Sequence, residues 1–133
     1  MENNTDKKIV LLIVEDEKTL ADTLEERLKS EGFDVLKASD GGQGLKLALD
    51  NHPNLILLDL LMPKVDGLTM LNLLRKDKWG KNASVIILTN VESSDKVADT
   101  IGLGFGNVFE YMLKTNWSLD DMVARIKERL EIK

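Results

Sequence analysis

Five short apolar runs punctuate the chain, and stretches with helical spacing separate them. The runs are Ile9 to Val14 (IVLLIV), Phe33 to Ala38 (FDVLKA), Leu55 to Leu58 (LILL), Val85 to Leu88 (VIIL) and Val108 to Leu113 (VFEYML). The first, third and fourth are unbroken, the pattern of parallel strands covered on both faces. The second carries Asp34 and Lys37 and the fifth carries Glu110, charges that suit the edges of a sheet. Leu20, Leu24 and Leu28 then fall on one face of a first helix, which Gly32 is placed to end. Leu45 and Leu49 mark a second helix, and Leu68, Leu71 and Leu74 a third. A fourth, around Ser93 to Thr100, has the thinnest apolar face, little more than Val97, Ala98 and Ile101. The fifth opens on Ser118 and Asp121, a capping-box pattern with aspartate in place of the usual Glu or Gln. Trp117 and Met122 are spaced for a hydrophobic staple across it, and Met122, Val123, Ile126 and Leu130 continue its apolar stripe.

Strict alternation of this kind predicts a (βα)5 doubly wound parallel sheet with right-handed crossovers and helices on both faces. Ligands of open sheets gather beyond the carboxyl ends of the strands, where strand order reverses. Glu15, Asp16 and Glu17 follow the first strand, Asp59 the third and Thr89 the fourth, and Lys114 closes the fifth. With strand order 2-1-3-4-5, the first and third strands are neighbours, and Glu15, Asp16 and Asp59 converge. Three carboxylates so close repel one another unless a cation joins them. A few oxygen ligands at a site open to water suit Mg²⁺. An ionised carboxylate can also attack a phosphoryl group, and a metal, an ammonium and a hydroxyl supply the electrostatics such a transfer needs.

Composition narrows the partners. The chain of 133 residues fits a single domain, with a formal charge of −5 and a pI near 4.9. Lysines and acids are interleaved without a basic arm, which argues against direct binding to nucleic acid or an anionic membrane. There is no cysteine, so disulfides and thiolate metal sites are excluded. The polar start MENNTDKK lacks the apolar core of a signal peptide, and a cytoplasmic protein is the expectation.

Four motifs, each at a strand end, carry a family resemblance: VEDE (Val14 to Glu17), LLDLLMPKVDG (Leu57 to Gly67), IILTN (Ile86 to Asn90) and YMLK (Tyr111 to Lys114). Together they make the chain resemble the receiver domain of a response regulator in two-component or phosphorelay signalling. The resemblance implies a flavodoxin-like fold with one domain over residues 1–133, a polar tail at 1–7 and no output domain. It implies that Asp59 accepts a phosphoryl group from the phosphohistidine of a sensor histidine kinase or phosphotransfer protein. Asp16 and Asp59 would then hold Mg²⁺ directly, Glu15 through water, and Leu61 through its main-chain carbonyl. Thr89 and Lys114 would contact the phosphoryl oxygens, and Tyr111 sits where the family has its switch aromatic.

The readout surface implied is the fourth helix, fifth strand and fifth helix, meeting a downstream protein whose identity the residues do not give. The same surface would also suit a homodimer. Such a domain is not a conventional enzyme, because it catalyses phosphorylation and dephosphorylation of its own Asp59. The chain departs from the family at Thr115, where proline is usual, and at Asn90, where a small residue is common. Leu61 and Val91, two residues beyond Asp59 and Thr89, cannot hydrogen-bond an attacking water, so a long-lived aspartyl phosphate is expected. The alternative is a pseudo-receiver, the same fold acting as an interaction module without phosphorylation.

Overall fold

Each of the five apolar runs forms a strand. A computed structural model describes residues 8–60, 66–89, 109–113 and 118–131. Strands β1 (Val10–Val14), β2 (Asp34–Ala38), β3 (Leu55–Asp59), β4 (Val85–Thr89) and β5 (Phe109–Leu113) pair in parallel, in the order β2-β1-β3-β4-β5. The two charged runs lie at the edges of the sheet. The helices are α1 (Lys18–Ser30), α2 (Gly41–Asn51), α3 (Gly67–Arg75) and a C-terminal helix (Leu119–Arg129). The helix expected around Ser93 to Thr100, Trp117 and its staple, and the Lys114–Thr115 peptide lie outside the described residues.

Alternation along the strands divides the core into two layers. Leu12, Val14, Ile56, Leu58, Val85 and Ile87 face α2 and α3 and meet Ala48, Met70, Leu71 and Leu74. Leu11, Ile13, Leu55, Leu57, Ile86 and Leu88 face the other way and meet Leu24 and Leu28 of α1 with Met122, Val123 and Ile126. All six central-strand residues of each layer are fully buried. Burying each such aliphatic side chain contributes about 1.5–3 kcal/mol before conformational entropy is counted. Met70 and Met122 are core residues.

Helix α1 ends as its sequence predicts, with Gly32 at φ 98 just beyond its C-cap, Glu31. The C-terminal helix opens on a complete capping box. The Ser118 hydroxyl accepts the Asp121 N–H at 3.1 Å, and the Asp121 carboxylate accepts the Ser118 N–H at 3.2 Å. A cap of this kind stabilises by about 1 kcal/mol.

Helix α2 forms where Leu45 and Leu49 mark it, and both pack against the core, but its most buried residues are small ones. Gly41, Gly44 and Ala48 are buried, while Leu45 and Leu49 flank the contact and are only partly covered. Small residues let this helix lie close to β1, so its seam has no large side chains to reveal it. His52 and Trp79 stack with ring centroids 4.3 Å apart, at the end of the sheet opposite the acids. His52 caps α2 in the left-handed region (φ 48), and Trp79 packs on the core just beyond α3.

Candidate metal and phosphoryl site

Strand register brings the acids together. Val14 of β1 lies opposite Leu58 of β3, so the next residues, Glu15 and Asp59, come abreast. Both share the alternation of Ile13 and Leu57, and their side chains therefore leave the sheet on the α1 side. The Glu15 N–H donates to the Ala38 carbonyl at 3.0 Å, extending the ladder one residue beyond β1. One Glu15 carboxylate oxygen accepts the Glu17 N–H at 3.0 Å, and Glu17 is the N-cap of α1. The acids thus precede α1 and fix the turn that enters it.

Ligand oxygens of Glu15, Asp16 and Asp59 lie within 4.8 Å of one another. Glu15 is 2% exposed and Asp59 4%, whereas Asp16 stands open to solvent. This donor set fits a hard divalent cation: it is all oxygen, acidic, and open on one side for water ligands. It also fits the physics of the cluster, since buried carboxylates at that spacing favour a cation between them. A cavity of about 270 Å³ opens beside Glu15 and Asp16, walled by Lys18 and Asp22 of α1 and by Lys37, Ser39 and Gln43.

Leu60, the residue after Asp59, is tied to the start of α3. The Gly67 N–H donates to the Leu60 carbonyl at 3.1 Å, and Asp66 caps α3 by accepting the Thr69 N–H at 2.8 Å. Gly67 is the last residue of the LLDLLMPKVDG motif. The structure sets its Cα against the main chain of Asp59 and Leu60. Local spacing does not mark that approach, because Gly67 simply follows the N-cap Asp66 as the first residue of α3.

Other expected site residues are only partly described. The main chain of Thr89 ends β4 opposite Leu113, and that of Tyr111 pairs with Ile87 in β5. Their side chains, together with Leu61, Asn90, Val91, Lys114 and Thr115, lie outside the description.

A parallel sheet in this order, with acids converging at the switch between β1 and β3, agrees with the receiver-domain resemblance carried by the strand-end motifs. Residues 11–127 match the family model of the response regulator receiver domain, and the chain belongs to that family. It is 34% identical over 121 residues to the DNA-binding dual master transcriptional regulator RpaA of Synechocystis, covering 90% of this chain and 48% of that protein. A putative response regulator from Chloroflexus aurantiacus superposes with a TM-score of 0.79 at 31% identity, covering 94% of this chain and 99% of that one. The response regulator TrrA of Thermotoga maritima, solved in complex with Mg²⁺-BeF, superposes with a TM-score of 0.75 at 27% identity, covering 91% and 98%. The chain spans about half the length of the curated relatives it matches. Receiver domains of two-component systems bind Mg²⁺ at their acidic site and are not conventional enzymes. No helix among the described residues is long and apolar enough to cross a membrane.

Proposed function

We propose that this receiver domain accepts a phosphoryl group on Asp59 from the phosphohistidine of a sensor kinase or phosphotransfer protein. The observation that carries the reading is the convergence of Glu15, Asp16 and Asp59 within 4.8 Å, with Asp59 delivered by the central strand. A carboxylate oxygen of Asp59 attacks phosphorus, the phosphorus–nitrogen bond breaks, and the donor imidazole leaves with the electron pair. An ionised carboxylate has no proton to lose, so the attack needs no general base. Asp16, Asp59, Glu15 and the Leu61 carbonyl would hold Mg²⁺. Bound there, the metal supplies positive charge against the phosphoryl oxygens.

Lys114 and Thr89 contact the same oxygens, and Tyr111 follows Thr89 as the switch residue. The readout then passes through the fifth strand and the helices flanking it, to a downstream protein or a second copy. Water later cleaves the acyl phosphate and returns the carboxylate, slowly, because Leu61 and Val91 cannot orient the attacking molecule.

Intact-mass measurement after treatment with a small phosphodonor and Mg²⁺ tests the proposal. The expected result is a gain of one phosphoryl unit, absent in Asp59→Asn and lost over minutes or longer without a phosphatase. No gain with any donor, a histidine kinase included, sinks the reading in favour of a phosphorylation-independent interaction module. Loss within seconds overturns the long lifetime alone.

A further inference from the structure

Two bare Cα atoms sit directly behind the acidic cluster. An added Cβ at Gly67 would overlap the Asp59 carbonyl oxygen and lie 2.7 Å from Leu60 Cα and 2.8 Å from the Asp59 carbonyl carbon. All three obstacles are main chain, so no side-chain rotation relieves them. At Gly44 of α2, an added Cβ would lie 2.8 and 2.9 Å from the two Val14 methyls and 2.9 Å from Met70 Sδ. The three nearest atoms are all side chain, so Val14 and Met70 must shift there rather than the main chain. Val14 immediately precedes Glu15, and Met70 lies in the first turns of α3 after Gly67. Each glycine therefore backs the last residues of the strand that delivers one acid.

We infer that Gly67, and more weakly Gly44, are positioning residues for the site: their missing side chains let α3 and α2 seat against β3 and β1. That seat sets the spacing of Asp59 relative to Glu15 and Asp16. At Gly67 the seat is also bonded, because its N–H holds the Leu60 carbonyl one residue beyond Asp59. An alanine there must displace the Asp59–Leu60 backbone or the start of α3. Either movement changes the carboxylate spacing that a small octahedral cation demands.

The inference rests on the proposed phosphoryl chemistry only for its activity readout, and Mg²⁺ binding gives an independent one. Calorimetric titration with Mg²⁺, thermal unfolding and phosphorylation by a small phosphodonor are compared for wild type, Gly67→Ala, Gly44→Ala and Gly32→Ala. Gly32 is the control: its φ of 98 makes alanine strained, yet nothing lies within 4 Å and it does not touch the site. Gly67→Ala is expected to weaken Mg²⁺ binding by about tenfold or more, the scale seen for residues that orient ligands. Gly44→Ala should weaken it about threefold, since its neighbours can repack. Gly32→Ala should lower the unfolding temperature and leave Mg²⁺ affinity unchanged.

A folded Gly67→Ala with wild-type affinity overturns the inference, and so does equal loss in Gly32→Ala at matched stability. Should Gly67→Ala not fold, unchanged affinity in Gly44→Ala overturns it. Wild type that takes neither Mg²⁺ nor phosphoryl group sinks the functional reading and this inference together. Normal wild-type activity with unaltered variants sinks the inference alone.

Discussion

The protein carries two groups of carboxylates on α1 and its approaches, built on opposite principles. On the outer surface of α1, Asp22 accepts from Lys18 at 2.7 Å and from Lys37 of β2 at 2.6 Å, and Glu25 pairs with Lys37 at 2.9 Å and Lys29 at 3.0 Å. Further along, Glu31 pairs with Arg27 at 3.2 Å and with Lys127 of the C-terminal helix at 2.8 Å, while Arg27 reaches Asp120 at 2.6 Å. There each acid sits in a direct ion pair with a lysine or arginine at the surface. At the head of α1, Glu15 and Asp16 are brought against Asp59 instead, and like charge is concentrated. Acids of one kind hold elements together, while acids of the other kind are held by elements already in place. The same residue type therefore reports stability in one region and a binding site in the other.

Mg²⁺ should separate them most strongly. At a hundred times its dissociation constant, a ligand of the folded state adds about 2.7 kcal/mol, which for a domain of this size raises the unfolding temperature by roughly 10 °C. Differential scanning fluorimetry with MgCl₂ should record that rise in wild type and most of it gone in Asp59→Asn. Equal rises in both would place the cation elsewhere.

Without metal, the two groups should respond to neutralisation with opposite signs. Asp59→Asn takes one carboxylate out of a cluster whose ligand oxygens lie within 4.8 Å of one another, and should stabilise the metal-free protein, on the order of 1 kcal/mol. Asp22→Asn removes the acceptor of two ammonium groups and should lower the unfolding temperature. Denaturant midpoints of both variants in EDTA decide it, and shifts of the same sign would erase the distinction.

Salt sharpens the comparison further. Glu31→Gln cuts one of the two bridges between the α1 region and the C-terminal helix, and should cost stability at low salt. In about 1 M NaCl, where the screening length is roughly 3 Å, the difference from wild type should largely close. A gap that persists in high salt would assign Glu31 a packing role instead.

Much of this was written in local pattern. Unbroken aliphatic runs identified β1, β3 and β4, charges within the runs identified the edges, and Ser118 with Asp121 marked the start of the last helix. The acids were legible because strand-end carboxylates stand out beside LILL and IVLLIV. What escaped depends on approach in space. The buried seam of α2 is Gly41, Gly44 and Ala48, residues without apolar bulk to mark a face, and the apolar spacing shows only Leu45 and Leu49 at its margin. Gly67 looks like a turn until Asp59 is seen behind it. The bridges from Arg27 to Asp120 and from Glu31 to Lys127 join residues 93 and 96 positions apart, beyond any helical or strand period.

Acid should act last and most gently, through the paired group. Lys18 and Lys37 hydrogen bonds hold the Asp22 carboxyl at about 2, below its ordinary 3.8. The same kind of contact lowers Glu25, through Lys37 and then Lys29, and Glu31, through Lys127 and then Arg27. A carboxylate depressed in the folded state favours folding at pH values above its unfolded value, because there it is ionised and paired. That contribution fades as pH falls toward the folded value, since the unfolded chain binds the proton more readily. Stability should therefore be level in this respect above about pH 5 and decline from there toward pH 2. All three groups lie at the surface, so each contributes little and salt weakens it. Urea midpoints of wild type and Asp22→Asn, measured in EDTA from pH 6 to pH 2.5, should converge as the pH falls. Curves that stay parallel throughout would show that the Asp22 pairing does not contribute to folding.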